Sequence, residues 1–218
     1  QRLPNSVAVL PFENLSPDPD NAYFAAGIHE EVLNALVKLQ NLSVISRTSV
    51  IRYATSELSI PEIATQLNVE TVMEGSVRYA GDRVRITAQL IDARTDEHLW
   101  SDTYERDFAD VFGIQADIAM NIANAMQVEF SIAEQQGIEA VATQSPAAYA
   151  HYLKAIDMWW ATGTDFSWLP EMDQAIALDP DFAAALARKA YIIAVILSTA
   201  GTGLDDVAHL KIEAQAAA

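Results

Sequence analysis

In the segment 83–92, residues 83–90 alternate between polar and apolar side chains, and this alternation limits the fold more than any other feature of the chain. Successive side chains of a strand point to opposite faces, so the pattern predicts a strand with one packed face and one polar face. Residues 70–79 and 98–104 are further strand-like segments, separated from it by two short turns. The sequence therefore predicts three consecutive strands that form a meander.

Upstream of the meander, the period of the apolar residues switches between strand and helix. Residues 6–12 and 42–46 are short apolar runs typical of buried strands, whereas residues 23–39 have helical spacing. Ser, Pro and Glu at 59–62 mark a helix start, and a last helical pattern follows at 111–126. The order β-α-β-α-β-β-β-α predicts an α/β (α+β) fold, a mixed five-stranded sheet with helices mainly on one face.

The composition changes near the end of this pattern, which predicts two domains. Residues 134–145 are polar and small, and we interpret them as a linker. An α/β domain is thus expected at 1–133 and an all-α segment at 146–218. The helical pattern of that segment is interrupted at Gly163, Pro180 and Gly201.

The charge balance limits the kinds of partner. A formal net charge of −17 repels phosphate backbones, so we predict no nucleic-acid binding by this chain and favour a basic partner. The absence of cysteine excludes disulfides, thiolate metal sites and cysteine nucleophiles, and it leaves the compartment open. No apolar run reaches the roughly 20 residues of a membrane span.

No catalytic motif is present in the sequence. His29-Glu30 begins like a zinc protease motif, but Leu33 stands where the second His is required. No phosphate-binding glycine loop and no G-x-S-x-G sequence occur. We therefore predict that the chain is not an enzyme and holds no cofactor or metal.

The first part of the chain shows a family likeness in six segments. They are residues 7–16, 23–28, 44–50, 72–78, 84–92 and 98–100. In these segments the chain resembles the TolB amino-terminal-like domain of bacterial signalling proteins, which are often described as adenylate cyclases or winged-helix regulators with TPR tails. The resemblance implies a sensory or scaffold role in a larger protein whose output domain lies upstream.

The second part resembles a degenerate TPR repeat. Ala175 and Pro180 stand where that repeat places its second-helix Ala and its terminal Pro. Tyr149, Tyr152 and Trp159 fit the aromatic positions of the first helix. The resemblance implies the truncated start of a helical array that binds a protein or peptide.

Four arginines are the candidate ligand-binding residues. Arg47 and Arg52 follow the second predicted strand, at the carboxyl end where α/β folds often bind ligands. Arg78 and Arg85 belong to the polar face of the meander. We expect an anion or another small ligand at these positions, while an ordinary solvated surface remains the alternative.

Three tryptophans are the candidate partner-binding residues. Trp159, Trp160 and Trp168 form the densest aromatic cluster of the sequence. Aromatic side chains at helical spacing are more often core than recognition surface, so both interpretations stay open.

The function predicted from these observations is a non-catalytic sensory or protein-interaction region of a larger bacterial signalling protein. An envelope assembly or transport scaffold and a small-ligand-binding domain are the alternatives. We expect the chain to be a piece of a longer, membrane-tethered protein, located in the periplasm or, alternatively, in the cytoplasm. A homodimer is compatible with the sequence.

Overall fold

The computed structural model describes residues 2–18, 21–140, 143–163 and 165–199. Within these ranges the chain divides into two compact units, Gln1–Val141 and Ala142–Ala218. The division falls inside the stretch that the sequence predicts as linker. The Gly201 break and His209 lie outside the described residues.

Unit 1 combines strands and helices in the predicted alternation. Its strands are β1 (Leu3–Val9), β2 (Glu13–Asn14), β3 (Ser43–Val44), β4 (Val69–Ala80), β5 (Arg83–Asp92) and β6 (His98–Asp107). Its helices are α1 (Ala22–Val37), α2 (Arg47–Val50), α3 (Ile60–Leu67), α4 (Ile114–Ala125) and α5 (Ile132–Glu139). Short 3₁₀ segments cover Ile51–Tyr53 and Phe108–Gly113.

The sheet is mixed, as predicted. Its order is β3-β1-β4-β5-β6, and β2 adds a sixth strand by pairing with β4. β1 runs parallel to both β3 and β4, whereas β4, β5 and β6 form the antiparallel meander. The predicted count of five strands did not include β2, which is only two residues long and carries no pattern of its own.

One sheet face carries the main core and is covered by α1 and α4. Phe24 of α1 packs against Tyr79 of β4 with ring centroids 5.3 Å apart. Asn121 of α4 donates to the hydroxyl of Tyr104 on β6 at 3.0 Å. Between these contacts, the apolar residues of β5 that the alternation predicted are all buried. The hydrophobic face of the meander therefore lies under these two helices.

Among the described residues, the helical segments that cover the opposite face lie near β1. There Val50, Tyr53 and Ile63, from α2, the 3₁₀ segment and α3, pack on Ala8 and Val72 of the sheet. The chain thus leaves β1 by α1 on one face to reach β3 and returns by α2 and α3 on the other face to reach β4. β1 is consequently the point at which the crossover connections change sides.

Residues 134–139, predicted as linker, belong to helix α5. Ser131 and Glu134 form a capping box, in which the Glu134 carboxylate accepts the Ser131 N–H at 2.7 Å. The same carboxylate accepts the N–H of Gln40 at 2.9 Å, and Lys38 Nζ donates to the carbonyl of Gly137 at 2.8 Å. The polar composition therefore reflects a capped surface helix attached to the end of α1.

Unit 2 consists of helices in the part of the chain that the structure describes. They are α6 (Pro146–Thr162), α7 (Leu169–Leu178) and α8 (Ala183–Thr199). Gly163, at φ +69°, ends α6, and the break predicted at Pro180 lies between α7 and α8. Glu171 joins α7 to α6 by accepting from His151 Nδ1 at 2.6 Å. No described helix is long and apolar enough to cross a membrane.

Candidate functional site

A pocket of about 410 Å³ lies at the carboxyl end of β1, and we call it the switch-point pocket. Residues 10–13, which follow β1, form one side, and residues 74–76 of β4 form another. Tyr53 and Ile63 contribute from the covering helical segments, and the remaining lining residues are Ala54, Ser56, Leu58, Thr87 and Gln89. Ligand pockets of open α/β sheets occur where crossover connections change sides, which is the position of this pocket.

Phe12, which follows β1, packs its ring on the α1 face of the sheet, whereas Tyr53 and Ile63 lie on the opposite face. Its ring lies over Gly75, where an added Cβ would come within 2.8 Å of the ring. On another side the ring meets His29 of α1 edge-on, with centroids 5.9 Å apart. A side chain at position 75 would displace Phe12, so glycine is required there by close approach.

His29 joins α1 to the end of β1. Its side chain is buried and its Nε2 lies 3.0 Å from the carbonyl oxygen of Val9. Burial lowers the pKa of His29 to about 4, the hydrogen bond to Val9 acts against this, and the nearby Arg47 charge lowers it further. The imidazole is therefore neutral at pH 7 and donates from Nε2 to the Val9 carbonyl.

The charged groups of the switch-point pocket are carboxylates. Glu13 and Glu74 both line it, and Glu74 Oε2 accepts from Gln89 Nε2 at 3.1 Å. Among the described residues, no Lys or Arg lines this pocket. The arrangement favours positive charge or hydrogen-bond donors over anions.

The structure does not place Arg47 in an open anion site. Its Nε lies 3.7 Å from Glu30 Oε2, and the two side chains are only 11% and 7% exposed. The sequence showed a cation after a strand, but Glu30 lies 17 positions away on α1, and only the fold brings the two together. A buried carboxylate thus faces the Arg47 charge and disfavours an anion there, so ligand binding by Arg47 stays an untested prediction.

The other three predicted arginines do not form a common site either. Arg52 donates to the hydroxyl of Tyr53 at 2.6 Å and lies over that ring, 4.8 Å from its centroid. Arg78 and Arg85 are exposed and directly opposite each other on β4 and β5. Arg85 Nε lies 3.6 Å from a carboxylate oxygen of Glu105 on β6. Arg78 and Arg85 share the polar sheet face as predicted, while Arg52 belongs to the helical cover.

A second pocket of about 530 Å³ lies around the amino end of β4 and the carboxyl end of β5, and sequence reasoning missed it. It contains both Arg2 and Arg94 together with Glu70 and Asp92. Burial raises the pKa of Asp92, but N–H donation from Arg94 and Thr95 and the two arginine charges outweigh it and lower the pKa. The charges of this pocket thus balance one another.

The three predicted tryptophans of unit 2 have different surroundings. Trp168 precedes α7 and is 0% exposed, so its assignment as a partner-binding residue is wrong: it belongs to the core. Trp159 and Trp160 are half-buried, with ring centroids 4.5 Å apart. Trp159 also meets Tyr191 of α8 edge-on at 6.3 Å, and Tyr191 is 55% exposed. An aromatic surface is therefore present at Trp159, Trp160 and Tyr191.

Sequence comparison identifies the family of this α/β domain. Residues 3–122 match the family described as HilA/YgeH-like transcriptional regulator, second domain. The chain belongs to this family. The match covers β1 to α4, which includes the whole sheet and the switch-point pocket.

A curated relative is known from Rhizobium meliloti (strain 1021), with the name "Putative adenylate cyclase 3". It is 41% identical over 144 residues, which cover 66% of this chain and 24% of the relative. The chain thus spans about a quarter of the length of that protein.

Structural comparison also finds several solved structures with low similarity to parts of this chain. TolB from Acinetobacter baumannii has a TM-score of 0.44 at 15% identity and covers 57% of this chain and 28% of its own. Lipoprotein GNA1162 from Neisseria meningitidis has a TM-score of 0.43 at 17% identity, with 59% and 100% covered. The LpoB C-terminal domain from Salmonella enterica has a TM-score of 0.39 at 19% identity, with 49% and 85% covered.

Proposed function

We propose that this chain is the non-catalytic sensory or protein-interaction region of a larger bacterial signalling protein. Two sequence relationships support the proposal. The same domain belongs to a family described by transcriptional regulators and matches a quarter of a protein named as an adenylate cyclase. A domain that accompanies two kinds of output is expected to supply a regulatory input common to both.

The output domain is part of this proposal. A nucleotide cyclase or a winged-helix DNA binder would lie upstream of the chain, and the helices of unit 2 would begin a TPR-like array. The half-buried Trp159 and Trp160 support a partner surface in that array, since aromatic side chains are common anchors of interfaces. The charge of −17 favours a basic protein or peptide there.

A small-ligand sensor is the second candidate, and the switch-point pocket favours it. A volume of about 410 Å³ lies within the range of small-molecule sites. The two candidates are compatible, because a ligand in unit 1 and a partner on unit 2 would use separate surfaces.

The test of the proposed function compares the chain with the full-length protein. The purified chain, supplied with ATP and Mg²⁺ or Mn²⁺, should produce no cyclic nucleotide. In the full-length protein, removal of residues 1–199 should leave the output activity in place but abolish its response to growth conditions or partners. Cyclic nucleotide made by the chain alone would contradict the non-catalytic role. An unchanged response after the deletion would contradict the regulatory one.

A periplasmic location for this part of a membrane-tethered protein belongs to the same proposal, with the cytoplasm as the alternative. The lack of cysteine is compatible with both compartments. Alkaline phosphatase, which needs disulfides to be active, separates them when it is fused after residue 199 of the full-length protein. Activity of the fusion supports the periplasm, and inactivity of a stable fusion supports the cytoplasm.

A further inference from the structure

The position of the switch-point pocket is the first reason to assign it a ligand. β1 has parallel neighbours on both sides, and the connections to them run over opposite faces of the sheet. In open α/β sheets such a change of side leaves a crevice beyond the carboxyl end of the strand. Here β2 pairs with β4 beyond β1, and residues 10–12 bridge the two strands along the crevice.

The lining of the pocket combines an apolar part with hydrogen-bonding groups. Leu10, Tyr53 and Ile63 are buried side chains of one cluster that supply the apolar part. Ser56, Ser76 and Thr87 supply hydroxyl groups. A mostly apolar surface with a few polar groups is typical of sites for compact organic molecules.

The charges of the pocket select among such molecules. Glu13 and Glu74 come from β2 and from β4, and the hydrogen bond from Gln89 keeps the Glu74 carboxylate on the sheet face. No basic side chain is among the described lining residues, and Arg52 lies outside the lining, over the Tyr53 ring at 4.8 Å from its centroid. The two carboxylates would repel an anion and attract a cation.

We infer that the switch-point pocket binds a small organic cation, an ammonium or guanidinium group carried by a compact apolar body. The cation pairs with Glu74 and Glu13, and the apolar body packs against Leu10, Tyr53 and Ile63. This inference deepens the sensory role proposed above, since it names the chemical class of the sensed molecule. The binding itself does not depend on any output domain.

The experiment compares three probes that share one apolar body and differ in charge. Phenethylammonium is the cation, 2-phenylethanol the neutral probe and 3-phenylpropanoate the anion. Each is titrated into the chain while backbone amide NMR signals are recorded. We expect saturable shifts of Gly75, Ser76 and Thr87 with the cation, at least tenfold weaker affinity for the alcohol, and no binding of the anion. Higher salt should weaken the binding of the cation.

Charge-removing variants test the assigned carboxylates. Glu74→Gln and Glu13→Gln each keep the side-chain length. We expect each variant to lower the affinity for phenethylammonium at least fivefold. Glu97→Gln removes an exposed carboxylate in the turn before β6 and should leave the affinity unchanged. Because Glu13 is exposed, its variant remains informative if Glu74→Gln fails to fold.

Four outcomes overturn the inference. They are equal affinity for the alcohol and the cation, preference for the anion, no saturable shift with any probe at millimolar concentration, and cation shifts confined to other parts of the chain. If a lysine-containing peptide shifts the Gly75 signal and phenethylammonium does not, the ligand is a peptide side chain. The inference of a free small molecule is then wrong. The proposed regulatory function is tested separately by cyclic nucleotide output, so failure of one does not decide the other.

Discussion

Lowering the pH should destabilise unit 1 through His29. The pKa of this buried imidazole is lowered from 6.5 to about 4, mainly by burial. In the unfolded chain the imidazole returns to its ordinary pKa, so the unfolded state binds a proton as the pH falls below 6.5 while the folded state does not. Stability is therefore complete above pH 6.5 and is lost progressively down to about pH 4.

The magnitude follows from the same two pKa values. Each pH unit across which only the unfolded state is protonated costs about 1.4 kcal/mol. For a pKa of about 4, the loss reaches about 2 kcal/mol at pH 5 and about 3 kcal/mol at pH 4, relative to pH 8. A native stability of about 5–15 kcal/mol makes such a loss readily measurable.

The assay is amide hydrogen exchange in β1 and α1, which reports on unit 1, at several values between pH 8 and 5 after correction for the intrinsic rate. His29→Gln keeps a donor for the Val9 carbonyl but cannot be protonated, so we expect it to remove the His29 part of the pH dependence. His98→Gln is the matched control because His98 is exposed on β6. If wild type and His29→Gln lose stability in parallel, His29 does not stay neutral in the folded protein and the reasoning fails.

Two further predictions concern packing and capping. Gly75→Ala should destabilise unit 1 by about 1–3 kcal/mol in urea unfolding, since the new Cβ would lie 2.8 Å from the Phe12 ring. Gly137→Ala, where a Cβ meets nothing within 4 Å, should be neutral or stabilising, and equal losses would refute the close-approach argument. Glu134→Ala removes the carboxylate half of the α5 capping box and its contact with Gln40, so limited proteolysis should gain early cuts within residues 132–139. An unchanged cleavage pattern would show that the cap does not hold this helix.

The local elements of the fold could be predicted because their signals are local. The strand prediction of 83–92 coincides with β5, since strict alternation has only one compatible structure. The capping box at Ser59 and Glu62 likewise begins α3 as predicted. Helix α5 was missed because its polar composition was taken for a linker, although Ser131 and Glu134 have the same capping spacing.

The candidate site was harder to predict because it depends on distant pairings. Arg47 was interpreted as a free cation, and no local pattern indicates that Glu30 neutralises it. The switch-point pocket collects residues that are far apart in sequence, from Leu10 to Gln89, so neither its volume nor its acidic character has a signal within one segment. Its general location, beyond the carboxyl end of a parallel strand, follows from the order of elements alone.

Helix α1 connects the carboxyl end of β1 with the last helix of unit 1. Near the middle of α1, His29 contacts Val9 and Phe12, and just past its end Lys38 and Gln40 hold α5. His29 and Lys38 are nine residues apart, which corresponds to roughly 14 Å along the helix axis. If a shift of the Phe12 ring tilts helix α1, the residues at its end that hold α5 move with it. Helix α5 is thus attached both to the end of α1 and to α4.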